Sequence, residues 1–132
     1  MIRRRVALLA TVATMSLGIF GCSSQGPDTT QLEPVLRSAV LAVPGVTGGA
    51  VTFFYAELSP RAVCSLTSDK TSKAELVATL DATLKAVTDV IRPYPSGSVR
   101  CSITSGELSA VQADLGLPTS ITFDALRARY PA

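Results

Sequence analysis

The chain has 132 residues, room for one small domain, with 12 Lys and Arg against 10 Asp and Glu and no histidine. So even a balance excludes the broad basic footprint that nucleic acid needs, and no nucleic-acid partner is expected. The absence of histidine removes the commonest general base near neutral pH and the commonest nitrogen ligand for metals.

At the N-terminus, Arg3, Arg4 and Arg5 precede an apolar run of 15 residues from Val6 to Phe20. A spanning helix needs roughly 20 apolar residues, so the run reads as an export signal. It ends in Ile19-Phe20-Gly21-Cys22, which resembles the lipobox of bacterial lipoproteins: an aliphatic residue, a small residue just before the cut, then the cysteine. The resemblance implies that Cys22 receives a diacylglyceryl group and that the chain is cut before it. Residues 1–21 are then a signal peptide, 22–30 a flexible polar tether and 31–132 one domain. Cleavage removes all three arginines and leaves nine basic against ten acidic residues. Two acyl chains hold a protein stably where one holds marginally. From Ser23 to Thr30 the tether reaches at most about 28 Å. The expected location is therefore the extracytoplasmic face of the cell membrane.

The domain should open with a helix. Thr30 and Glu33 have capping-box spacing, Pro34 fits a first turn, and Leu32, Val35, Leu36, Ala39, Val40 and Val43 make one apolar stripe before Pro44-Gly45. Ala50 to Leu58, rich in Val, Thr and aromatic residues, reads as a strand. Ser59-Pro60 reads as a turn, and Ala62 to Thr67 as a second strand. Ser72 and Glu75 cap a second helix with Leu76, Leu80, Leu84, Val87 and Ile91 on its buried side, stopped by "RPYPSG". Val99 to Thr104 is a third strand. A short helix is expected over Glu107–Leu115 and another from Phe123 to Arg129.

Three cysteines is an odd count for an exported chain, and assigning Cys22 to lipid leaves Cys64 and Cys101. Period-2 alternation in "RAVCSLTS" and "SVRCSIT" puts each on the apolar side of its strand. A buried disulfide between neighbouring strands is therefore expected, with two unpaired buried thiols as the alternative. There is no C-x-x-C, and two cysteines without histidine do not complete a structural zinc site. No metal or cofactor is expected.

This order predicts an α+β sandwich: helix–strand–strand–helix–strand on a three-stranded sheet, followed by short C-terminal helices, with the third strand parallel to the second. The order, with "LAVPGV" leading into the first strand, resembles BON domains, small envelope modules linked to lipid association. The tail "ITFDALRARYPA" resembles those of small envelope proteins of actinobacteria that carry no known activity.

Catalytic signals are sparse. Asp81 and Asp89 lie eight residues apart on the second helix, about 12 Å, too far to act together. Thr67-Ser68-Asp69-Lys70 is not S-x-x-K, and "GVTGGA" lacks the lysine of a phosphate loop. Phe53 and Tyr55 share one side of the first strand and form an exposed aromatic face unless the tail helices cover them. The expectation is a lipid-anchored accessory or binding protein that is not an enzyme, with a membrane link at Cys22 and an unknown protein or small ligand. The alternatives are a BON-like envelope module and a small hydrolase or redox protein using Asp69, Lys70 and a hydroxyl.

Overall fold

The structure, a computed structural model, describes residues 31–56 and 59–132. The expectations for the signal peptide, Cys22 and the tether lie outside the described residues.

Helix α1, Leu32–Leu41, buries Leu32, Leu36 and Val40, each a turn after the last, while Val35 is 49% exposed and leaves the expected stripe. Its N-cap is Gln31, without a side-chain cap. Glu33 is not a capping residue: its Oε1 accepts the Phe53 N–H at 3.0 Å. Strand β1, Val46–Ala56, begins four residues before the expected start. The glycines of "VTGG" belong to the sheet. At Gly49 (φ +131°) a Cβ would lie 2.4 Å from the Ser65 carbonyl oxygen, so only glycine lets β1 approach its neighbour here. Strand β2, Ser59–Ser68, pairs antiparallel with β1. Ser59 and Pro60, expected as a turn, are its first residues.

Helix α2, Lys73–Ile91, is capped by Ser72, whose Oγ accepts the Glu75 N–H at 3.2 Å. Leu76, Leu80, Leu84, Val87 and Ile91 are fully buried, as their spacing requires. Thr79, Thr83 and Thr88 join them, each donating its hydroxyl to the carbonyl four residues back at 2.7–2.9 Å, which makes burial tolerable.

Strand β3, Ser98–Ser105, runs parallel to β2. The sheet has five strands, not three. Gly106-Glu107 is a two-residue loop returning the chain as β4, Leu108–Val111, with Ser105 opposite Leu108. The helix expected over Glu107–Leu115 survives only as a 3₁₀ turn, Gln112–Leu115. Strand β5, Ile121–Thr122, pairs with the start of β3, and α3, Phe123–Arg129, follows with Thr122 as its cap. The strand order is β1-β2-β3-β4, with β5 and β4 on the same edge of β3.

The buried residues of the strands, Val51, Ala62, Cys64, Leu66, Val99, Cys101, Ile103 and Ala110, alternate along them and join the helices in one core. The helices thus cover one side of the sheet. The architecture is α+β in two layers, and among the described residues no helix covers the other side of the sheet.

Candidate functional site

Cys64 and Cys101 are direct partners in the parallel register of β2 and β3, and both are buried. Neighbouring strands lie about 4.8 Å apart, within the Cα separations that a disulfide spans. The two cysteines stand as free thiols. The neighbouring Cys64 thiol first, then burial, holds the Cys101 thiol well above the ordinary range.

The uncovered side carries different chemistry. Register places Thr52, Val63 and Arg100 in one row and Phe54, Arg61 and Ser98 in the next. None of the described strand residues is acidic. Arg61 Nε reaches Ser98 Oγ at 3.4 Å, whereas Arg100 has no polar partner among the described residues. Beside Arg100 is a hollow of about 130 Å³, lined also by Cys101, Ser102, Val111, Gln112, Ala113 and Thr119.

The hollow exists because β4 pairs with Ser102–Ser105 of β3 and β5 with Ser98 and Val99, which leaves Arg100 and Cys101 between them. Gln112, 2% exposed, fills the gap. Its Oε1 accepts the Cys101 N–H at 2.6 Å, and its Nε2 donates to the carbonyls of Pro118 and Thr119 at 2.7 and 2.9 Å. One side chain thus does what a strand would do. Asp114 anchors the same turn by accepting the Val111 N–H at 2.9 Å and facing Lys73 Nζ at 3.3 Å. Those two contacts, the backbone one foremost, hold its carboxyl below the usual range.

Phe53 and Tyr55 share one side of β1, as their spacing requires, but only Tyr55 is exposed there. Phe53 is half-buried against the core; Tyr55, beside it with ring centroids 6.1 Å apart, is 59% exposed; Phe54 is 44% exposed on the opposite side. In the tail segments, Leu126 and Tyr130 are buried and Val111 is exposed.

The remaining candidates are dispersed. Asp69 and Lys70 do not line the hollow. Asp89 pairs with Lys85 and Arg92, and Asp81 accepts a hydrogen bond from the Tyr130 hydroxyl. Burial first, then that bond, pushes the Tyr130 hydroxyl up to about 12. Among the described residues no cluster of Cys, Asp and Glu is placed to hold a metal ion, and no helix is long and apolar enough to cross a membrane.

Reading the sequence for the cysteines' side of each strand passed over Arg100, Ser102 and Gln112. The alternation that turns Cys101 inward also turns Arg100 and Ser102 outward, so that signal was available. Nothing in the sequence marks Gln112. No family model, curated protein or solved structure matches the chain.

Proposed function

We propose that the chain is a lipid-anchored accessory or binding protein on the extracytoplasmic face of the cell membrane, without catalysis of its own. The observation that carries this reading is the ordered run of three arginines, 15 apolar residues and Ile19-Phe20-Gly21-Cys22, whose parts match export, cleavage and acylation in turn. The domain's chemistry agrees with binding. The hollow at the open edge of β3 is lined by Arg100, Ser102, Thr119 and the committed Gln112 amide beside Val111 and Ala113. Groups of this kind hold anions and do not shuttle protons. Cells grown on labelled palmitate should mark the wild-type chain and leave the Cys22→Ala chain unmarked. A mature protein that is soluble and unacylated sinks the reading.

Outside the cytoplasm, Cys64 and Cys101 would close into a disulfide. Two S–H bonds give way to one S–S bond, and two protons and two electrons pass to an extracytoplasmic disulfide donor. Loop-closure entropy across 37 positions makes the bridge worth roughly 3–4 kcal/mol. The exported protein should weigh two hydrogens less than the reduced chain, and its denatured form should resist alkylation at both positions. Ready alkylation of both without reductant would show a pair that stays reduced.

The element order α1-β1-β2-α2-β3 favours a second reading, a BON-like envelope module that associates with lipid or partner proteins. This reading requires the protein part alone to bind. The mature chain freed of its acyl groups should then sediment with liposomes, and sedimentation no greater than background counts against it.

A further inference from the structure

We infer that the hollow beside Arg100 is a binding site for a small organic carboxylate. The inference rests on the binding role proposed above and gives it a ligand class. The hollow measures about 130 Å³, the share of roughly four water molecules in the liquid. That room suits an acid of a few carbons.

Its lining divides by chemistry. Arg100, Ser102 and Thr119 line it, bearing a guanidinium and two hydroxyls, and none of the three side chains has a polar partner among the described residues. The other polar groups are committed. Gln112 gives its oxygen to the Cys101 N–H and its nitrogen to two carbonyls, and Asp114 is held by the Val111 N–H and Lys73. No acidic residue occurs in any described strand residue to neutralise Arg100. A guanidinium offers a planar fork that matches two carboxylate oxygens, and the hydroxyls adapt as donors to the same group. Val111, 44% exposed, and Ala113 supply an apolar wall. A short hydrocarbon tail gains by covering that wall, whereas a phosphate would set a strongly hydrated oxyanion against it.

The test is a titration of the mature acylated chain in detergent micelles with acetate, propionate and butyrate, followed by amide chemical shifts. Shifts should centre on Ser102, Ala113 and Thr119. Affinity should rise about fourfold per added CH₂ until the hollow is full. Butyramide, the neutral isostere, should leave the shifts unchanged. Arg100→Gln, a change at an exposed position, should weaken butyrate about tenfold or more, and Arg100→Lys should restore part of the loss. Four results overturn the proposal: no shifts at high millimolar butyrate, equal binding of butyramide, undiminished binding by Arg100→Gln, or inorganic phosphate binding more tightly than any of the acids. None of these depends on palmitate labelling of Cys22, so failure of the site and failure of the anchor are read separately.

Discussion

The two outer edges of the sheet solve one problem with unequal means. At β3, between β4 and β5, the buried Gln112 amide replaces the missing strand and makes three hydrogen bonds to backbone. At β1, the first strand in the sheet order, Glu33 accepts the Phe53 N–H while Arg37 donates to the Val51 carbonyl at 3.1 Å, and the two side chains pair with each other at 3.0 Å. Both devices satisfy backbone groups that a strand would otherwise take. They differ in access to water. Gln112 is 2% exposed, whereas the Arg37 and Glu33 side chains are 45% and 37% exposed. Water can replace the second device but not the first, so the same kind of bond should carry unequal weight.

The largest effect is therefore expected from Gln112→Leu. The substitution keeps the approximate volume but strands the buried Cys101 N–H without an acceptor. Chemical denaturation should show a loss of about 2–3 kcal/mol. A loss no greater than that from an exposed hydrogen bond would mean that water reaches the gap and that the two edges are equivalent.

The contrast also explains what the sequence disclosed. Helix α2 is legible because 19 residues carry an apolar stripe of period 3.6 between a serine cap and prolines. The partnership of Cys64 and Cys101 is legible because both sit on the apolar side of alternating strands. Strand β4 is only four residues long, too short to separate period 2 from period 3.6, so the segment from Glu107 read as a helix. Gly106 was the signal that the chain turns there. Glu33 read as a cap because local spacing is visible and a partner 20 positions away is not. Arg100 and Gln112 matter through a gap between two strands that meet only in the folded sheet, and no local pattern encodes such a gap.

A smaller effect is expected at high pH, and it should fall on the Gln112 edge alone. Strand β5 leads directly into α3, whose end is held to α2 by the Tyr130 hydroxyl on Asp81 and to Arg92 through the Tyr130 carbonyl at 2.6 Å. The Tyr130 hydroxyl ionises near 12 in the fold against an ordinary 10. Between those values the native state holds a proton that the unfolded state has lost, so stability falls as pH rises and is fully present below pH 10. The hydroxyl is only part-buried, and after allowing for solvent screening the loss should be at most about 2 kcal/mol. Tyr130→Phe should remove this alkaline dependence. A wild-type stability that stays flat through this range would show that the tail does not depend on the bond.

The smallest effect on stability, with the largest consequence for association, is expected at β1. Glu33→Ala leaves the Phe53 N–H to water and should cost about 0.5–1 kcal/mol. It also strips the edge of its carboxylate and releases Arg37 from its pair, so β1 presents backbone groups in a row to any other extended chain. Sedimentation should show weight-average mass rising with concentration in Glu33→Ala and not in wild type, with faster amide exchange at Phe53. Glu33→Gln, which keeps the acceptor and loses the charge, should protect Phe53 and stay closer to wild type. If both variants associate equally, the negative charge and not the hydrogen bond guards this edge. The two edges would then differ in kind as well as in burial, one closed by geometry and the other by electrostatics.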